Sequence, residues 1–247
     1  QSMSDAQSIP AAVLDNAKSR STKPAMREKY HGIWQTYSWA DYEDEVRYFS
    51  LGLKSLGFGL GDKLSVIGDN RPRLYWAQIG AQALGGAAVP VFQDSIASEL
   101  AYVLANADTS FVVAEDQEQV DKILSIIDQL PGLKGIIYDD GRGLGEYDEP
   151  LLKSFDSIRE IGKSADSASY ESDVRAIASD TIAYMCYTSG TTGRPKGVML
   201  SHGNMLCVGR AFTAVEDVRE TDDFISYLPM AWVGDATYSV VTSILTG

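Results

Sequence analysis

The stretch "KLSVIGDNRPRLYWAQIGAQALGGAAVPVF", residues 63–92, contains two short apolar runs separated by a segment of helical length. "KLSVIG" and "AAVPVF" are nearly continuous in apolar residues, which is typical of strands covered on both faces. Residues 72–84 between them are predicted to form a helix. A strand, a helix and a second strand in this order indicate two parallel strands joined by a helical crossover.

The same alternation continues toward the C-terminus. Helical runs over residues 98–105 and 117–130 alternate with the apolar runs "FVVA" and "GIIY". We therefore predict an α/β fold in which helices cover both faces of a parallel sheet. The predicted strands begin near Lys63, Ala87, Phe111 and Gly135.

A hairpin is predicted on the N-terminal side of this unit. "AMREKY" and "IWQTY" flank His31 and Gly32, so residues 25–37 are expected to form an antiparallel hairpin outside the parallel sheet. Ser38 can then cap an amphipathic helix that ends at Gly57. Its apolar residues are Tyr42, Val46, Phe49, Leu53 and Leu56.

The composition changes between residues 139 and 180. Gly, Ser, Asp and Glu dominate there, and only "LLKSFDSIREI" has helical spacing. We predict a surface connection with one short helix. Its acidic residues are interpreted as a solvated face.

Regular structure resumes with "TIAYMCY" and "GVML", two predicted strands that enclose a loop. Ser201 can then cap a helix. The apolar residues predicted for one side of this helix are Met205, Val208, Phe212 and Val215.

Composition excludes several classes of protein. A 247-residue chain with 45% hydrophobic residues is typical of a globular protein with a large core. The net charge of −13 argues against nucleic-acid binding. Two cysteines without a C-x-x-C pattern are interpreted as small buried residues in a reducing compartment, and we expect a cytoplasmic protein. No apolar run approaches the roughly 20 residues of a membrane span, although peripheral contact with a membrane stays open.

The loop "YTSGTTGRPKG", residues 187–197, concentrates hydroxyl side chains, glycines and a lysine. Glycines let a ligand approach backbone N–H groups, hydroxyls donate to oxygens, and Lys196 supplies a positive charge, so phosphate is the expected ligand. The loop is not a Walker loop, because Pro195 precedes Lys196 and Gly197 follows it. A dinucleotide fold is also disfavoured, because "VIGDNRP" stands where a G-x-G-x-x-G pattern belongs.

This loop resembles the phosphate-binding signature of the adenylate-forming enzymes, which include acyl-CoA synthetases, firefly luciferase and nonribosomal peptide adenylation domains. The resemblance extends to "WQTYSWADYEDEV", "GDKLSVIGDNRP" and "ALGGAAVPVFQDSIASELAYVLANAD", and it covers most of residues 33–247. Within the family, "AEDQEQVDKIL" and "YLPMAWVGD" are most similar to long-chain fatty acyl-CoA synthetases.

The resemblance implies a reaction in two steps. A carboxylate attacks the α-phosphorus of ATP, and a thiol, often that of coenzyme A, then takes the acyl group from the acyl-adenylate. The loop would hold the β- and γ-phosphates, with Lys196 and Thr188 as catalytic residues and Thr188 as an oxygen ligand for Mg²⁺. The residues implied in phosphate binding are Thr188, Ser189, Gly190, Thr191, Thr192, Gly193 and Lys196.

Trp232 is the candidate substrate-binding residue. The family commonly has a histidine in this segment, where the chain has Trp232. An indole there can line the pocket for a fatty acyl chain, or it can be an ordinary core residue. Both interpretations stay open.

The chain ends at "SILTG", within an apolar helical run, and the family's downstream motifs are not found. We expect an N-terminal part of a ligase that is inactive alone and exposes apolar surface around Val240, Ile244 and Leu245. We predict a first α/β subdomain over residues 1–175 and the start of a second over residues 176–247. Two alternatives remain: an enzyme that loads a carrier-protein thiol, and a non-catalytic domain.

Overall fold

A computed structural model of the chain describes residues 5–188 and 193–247. The helices are Ile9–Ser19 (α1), Trp39–Ser55 (α2), Pro72–Gln82 (α3), Ala97–Asn106 (α4), Gln117–Leu124 (α5), Phe155–Ser164 (α6), Tyr170–Arg175 (α7), His202–Val215 (α8), Val233–Asp235 (α9) and Ser243–Thr246 (α10). A 3₁₀ turn at Ile127–Gln129 follows α5, and a π-helical segment, Ala236–Thr242, joins α9 to α10. The strands are Pro24–Tyr30 (β1), Ile33–Ser38 (β2), Lys63–Ile67 (β3), Ala87–Val91 (β4), Thr109–Ala114 (β5), Gly135–Tyr138 (β6), Leu152–Ser154 (β7), Ile182–Thr188 (β8) and Lys196–Ser201 (β9).

Within the described residues, β3 to β9 form a seven-stranded sheet in the order β7-β6-β5-β3-β4-β8-β9. All neighbouring strands are parallel except β8 and β9, which are antiparallel. The prediction that β3, β4, β5 and β6 are parallel is confirmed. β8 and β9 belong to this same sheet, and the division of the chain at residue 175 stays a prediction.

Helices cover both faces of the sheet, as predicted. Along β5, Phe111 and Val113 belong to one apolar core while Val112 and Ala114 belong to another. Side chains of a strand alternate between the two faces of its sheet, so each face has its own core. Helices α2 and α3 contribute to the first core, and α4 and α5 contribute to the second.

The hairpin of β1 and β2 forms a separate antiparallel two-stranded sheet, which confirms the prediction for residues 25–37. Its turn consists of His31 and Gly32, with φ angles of 48° and 81°. Two consecutive residues with positive φ are the geometry of a two-residue turn that matches the twist of a hairpin. Ser38 then caps α2 as predicted, in a reciprocal capping box with Asp41.

The prediction of a surface connection with one short helix between residues 139 and 180 is wrong. β7 extends the parallel sheet beside β6, and two helices, α6 and α7, follow it. Helix α6 packs closely on α2, since a Cβ atom added to Gly162 would lie 1.7 Å from the Tyr48 carbonyl oxygen. Phe155 of α6 stacks on Phe49 of α2, with 4.8 Å between the ring centroids. Few apolar residues are needed where glycine lets two backbones meet, so the composition of the segment was misleading.

Two expectations about the C-terminal helices are also wrong. Val240, Ile244 and Leu245 were expected to be exposed, but all three are buried. They pack with α8, where a Cβ atom added to Gly209 would come within 2.7 Å of Val241. Helix α8 begins at a capping box of Ser201 and Asn204, as predicted for Ser201.

The buried face of α8 is rotated from the predicted one. Met205 is buried as expected, but Val208 and Val215 are exposed. Leu206 and Gly209 take their place toward the core. Gly209 admits the C-terminal helices at close distance, and a count of apolar side chains does not reveal this.

Candidate functional site

The two ends of the hydroxyl- and glycine-rich loop are held together by the β8–β9 pair. Thr188 is the last residue of β8, Lys196 is the first residue of β9, and they are Cα partners across the antiparallel ladder. The candidate residues Ser189, Gly190, Thr191 and Thr192 lie outside the described residues. The structure therefore brings Thr188 and Lys196 together, and their roles stay predictions.

The described part of the loop fits a phosphate group. Gly193 has a φ of 142°, and a Cβ atom added there would meet nothing within 4 Å. The backbone conformation therefore favours glycine, while the space beside it is open. The Lys196 side chain is exposed and makes neither an ion pair nor a hydrogen bond with the described residues, so its charge is available to an anion.

The described residues contain no group of three or more His, Cys, Asp or Glu side chains that could hold a metal ion. Magnesium prefers oxygen ligands, and Thr188, which carries a hydroxyl, is exposed at the end of β8. The assignment of Thr188 as a magnesium ligand stays a prediction.

Trp232 lies on a separate segment, just before α9, and it is half-exposed, with 50% of its surface accessible. The interpretation of Trp232 as an ordinary core residue is therefore not supported. Its ring lies against Gly234, where an added Cβ atom would come 3.0 Å from the indole. The role of Trp232 in substrate binding stays a prediction.

A buried carboxylate that was not predicted holds this segment in place. Asp235 is 1% exposed, and the Tyr75 hydroxyl of α3 donates to it at 2.8 Å. Burial raises the pKa of the Asp235 carboxyl above its ordinary value, while hydrogen bonds from Ser239, Tyr75 and Ser226 oppose the rise. Asn70 donates to Ser226 at 2.8 Å, so two contacts tie the segment that carries Trp232 to the region around α3. Neither spacing nor composition signals this cluster, because its members are far apart in the chain.

A cleft of about 1390 Å³ lies elsewhere, between the first hairpin and residues 219–226. Its lining includes residues 19–29 and Tyr75, but none of Thr188, Gly193, Lys196 and Trp232. The predicted phosphate-binding residues at the ends of β8 and β9 therefore lie outside this cleft.

The structure is an α/β fold in which an antiparallel strand pair at one edge of a mostly parallel sheet holds the two ends of the candidate loop. The chain belongs to the AMP-binding enzyme family, whose pattern matches residues 13–247.

Two curated relatives of the chain are both named long-chain-fatty-acid–CoA ligases. The chain is 31% identical over 214 residues to the long-chain-fatty-acid–CoA ligase ACSBG2 of Xenopus laevis, covering 85% of this chain and 29% of the relative. It is 29% identical over 245 residues to the long-chain-fatty-acid–CoA ligase heimdall of Drosophila melanogaster, covering 95% of this chain and 36% of the relative. The chain thus spans about a third of the length of these relatives.

A solved structure has the same fold. The acetoacetyl-CoA synthetase of Streptomyces lividans matches 97% of this chain and 37% of its own length, with a TM-score of 0.83 and 22% identity. Among the helices of residues 5–188 and 193–247, none combines the length and hydrophobicity needed to cross a membrane.

Proposed function

We propose that the protein containing this chain is an ATP-dependent, AMP-forming ligase that joins long-chain fatty acids to coenzyme A. The observation that carries the proposal is the placement of Lys196, which is exposed, has no ion pair within residues 5–188 and 193–247, and lies directly opposite Thr188 at the ends of the loop. Membership of the AMP-binding enzyme family and the names of the two relatives support the same activity.

In the first step, the fatty acid carboxylate attacks the α-phosphorus of ATP, and pyrophosphate leaves with the bonding electron pair. Lys196 contributes by balancing the negative charge on the departing β- and γ-phosphates. Gly193 leaves open space beside the backbone, so N–H groups of the loop can donate to phosphate oxygens. The Thr188 hydroxyl is the atom of this chain proposed to hold a magnesium ion, which would supply further neutralisation of charge when bound.

In the second step, the thiol of coenzyme A attacks the carbonyl carbon of the acyl-adenylate. A thioester forms, AMP leaves, and the thiol proton goes to solvent or to a base. No pyrophosphate is released here, so Lys196 is not required for this step. Trp232 is proposed to line the acyl pocket, because its indole is half-exposed while Asp235 and Tyr75 hold the segment behind it.

Exchange of labelled pyrophosphate into ATP tests the first step. The natural protein that contains this chain should catalyse this exchange when a long-chain fatty acid is present and not without one. Addition of coenzyme A should then give acyl-CoA and AMP in equal amounts. Absence of fatty-acid-dependent exchange with every chain length would overturn the proposal and favour a non-catalytic domain.

An enzyme that loads a carrier-protein thiol is less favoured, because both relatives are named as CoA ligases. Acyl transfer to a phosphopantetheinylated carrier protein but not to free coenzyme A would favour this alternative. A cytoplasmic location stays a prediction.

A further inference from the structure

Helix α4 contacts both limbs of the loop. Tyr102 and Asn106 are four residues apart on α4 and therefore lie on the same side of the helix. The Tyr102 hydroxyl donates to the Pro195 carbonyl oxygen at 3.0 Å, on the limb that leads into β9. The Asn106 side-chain oxygen accepts from the Tyr187 hydroxyl at 2.7 Å, next to the last residue of β8, where the other limb of the loop begins.

The two cations of the loop have different surroundings. The guanidinium of Arg194 lies over the Tyr102 ring, 5.2 Å from its centroid, which is a cation–π contact. Lys196 has no such contact among the described residues and points its charge to solvent. Arg194 thus makes a cation–π contact with α4, while Lys196 makes no ion pair, hydrogen bond or ring contact with that helix.

Tyr187 packs the β8 end of the loop against the sheet and its core. Its ring, together with Tyr102 and Met185, packs against the core on the α4 and α5 side of the sheet. Burial raises the pKa of Tyr187 to about 12, so at neutral pH its hydroxyl keeps the proton that it donates to Asn106. Gly197 of β9 lies against the same ring, since an added Cβ atom would be 3.1 Å from Tyr187 Cζ.

We propose that Tyr102 and Asn106 are positioning residues that fix the two ends of the candidate phosphate loop, at Pro195 and Tyr187, on α4. The cation–π contact of Arg194 with Tyr102 stabilises this arrangement. Of the two cations Arg194 and Lys196, Lys196 is then the one that binds phosphate. The inference rests on the proposed function for its consequence in catalysis, but the anchoring itself does not. Residues that are already fixed lose less conformational freedom on binding a ligand, so we expect the anchored positions Tyr187 and Pro195 to favour tighter binding of ATP.

Hydrogen–deuterium exchange of the natural protein that contains this chain tests the anchoring without any ligand. Tyr102→Phe removes only the hydroxyl, and loss of one neutral hydrogen bond should raise amide exchange over residues 193–198 roughly 2- to 10-fold. Tyr187→Phe should loosen the other limb in the same way. Tyr147→Phe is the control, because it also removes only a hydroxyl, one that donates to Asp121 of α5 at 2.6 Å and accepts from Gln117 at 2.9 Å. Unchanged exchange over residues 193–198 in Tyr102→Phe, with global stability equal to that of the control, would overturn the anchoring.

Pyrophosphate exchange by the natural protein tests the consequence. Tyr102→Phe should raise KM for ATP roughly 2- to 10-fold with kcat within about twofold, because it changes the ordering of the loop and not the charge on it. Arg194→Met should behave similarly, whereas Lys196→Met should lower kcat. A fall of kcat in Arg194→Met as large as that in Lys196→Met would overturn the distinction between the two cations. If the unmodified protein catalyses no exchange, the proposed function fails, while amide exchange still decides the anchoring.

Discussion

Thr188 and Lys196 are paired across the antiparallel β8–β9 ladder. Directly opposed residues of an antiparallel pair place their side chains on the same face of the sheet. The side chains of Thr188 and Lys196 thus lie on one side of the hairpin, as their proposed binding to one phosphate chain requires. This relationship leads directly to the first prediction.

Lys196→Met keeps the apolar stem and removes the charge. A charge-assisted hydrogen bond contributes about 1.5–3 kcal/mol, so its loss in the transition state should slow adenylation roughly ten- to a hundredfold. Formation of thioester from preformed acyl-adenylate should change much less. Rapid-quench measurement of the two half-reactions separates them, and Lys134→Met, another exposed lysine, serves as the control. Normal adenylation by Lys196→Met would remove this residue from the site.

Gly193→Val should weaken ATP binding. A β-branched residue resists the φ of 142°, although nothing within 4 Å would clash with its Cβ atom. The strain should therefore fall on the loop and not on the core, so KM for ATP should rise several-fold while the melting temperature changes little. Gly145→Val is the matched control, because Gly145 is exposed, has open space beside it and lacks a positive φ. Equal KM values for ATP in the two variants would contradict the prediction.

Trp232→Ala should change the use of fatty acid and not of ATP. The residue is half-exposed, so its removal leaves no large cavity and should have little effect on stability. KM for a long-chain fatty acid should rise, with a smaller effect for short chains that do not reach the indole. Trp34→Ala removes another exposed indole, on the first hairpin, as a control. A loss of stability above about 3 kcal/mol would mean that Trp232 acts in packing.

The buried imidazole of His202 should make stability depend on pH. Its Nδ1 accepts a hydrogen bond from the Ile9 backbone N–H at 3.1 Å, and burial lowers its pKa from 6.5 to about 4. The unfolded chain therefore binds a proton in a range where the folded chain does not. The contribution of neutral, buried His202 to the free energy of unfolding is fully present above pH 6.5 and is lost as the pH falls toward 4.

Urea unfolding at pH 7.5 and pH 5 measures this effect. The free energy of unfolding should fall by about 2 kcal/mol between these values through His202 alone. His202→Asn keeps a side-chain acceptor for the Ile9 N–H but cannot titrate, so its free energy of unfolding should fall less. An equal decrease in both proteins would show that other groups cause the pH dependence.

Gly162→Ala should destabilise the fold, although alanine is intrinsically better than glycine in a helix. The new Cβ atom would meet the Tyr48 carbonyl oxygen of α2 at 1.7 Å, so α6 must move away. Overpacking of this kind lowers the free energy of unfolding by about 1–3 kcal/mol. Gly59→Ala adds the same methyl group in open space and should be nearly neutral. Equal stability of the two variants would mean that α6 does not pack closely on α2.

The parallel sheet could be predicted from the sequence because it depends on local patterns. Continuous apolar runs such as the one at Ala87 are needed wherever helices cover both faces, and they alternate with runs at helical spacing. The hairpin turn at His31 and Gly32 was predictable for a similar reason, since a tight turn must be made by its own residues. Helix α1 was not predicted, although Ser8 caps it and Pro10 lies in its first turn.

Some residues of the candidate site could be predicted from the sequence and others could not, for the same reason. Thr188, Gly193 and Lys196 were predicted from one continuous stretch, because hydroxyls, glycines and a lysine together indicate phosphate. Asp235 was missed because a buried carboxylate has meaning only beside its partner, and Tyr75 is distant in the chain.

The sequence by itself determined the alternation of strands and helices, the capping residues Ser38 and Ser201, and the concentration of hydroxyls, glycines and a lysine in the candidate loop. Each of these depends on residues that are neighbours in the chain. Only the tertiary structure decided that α6 packs on α2 through Gly162, that α8 turns Gly209 and not Val208 toward the core, and that Tyr102 reaches Pro195. The physical reason is that close backbone approach and hydrogen bonds between distant segments depend on which surfaces meet, and local periodicity carries no information about that.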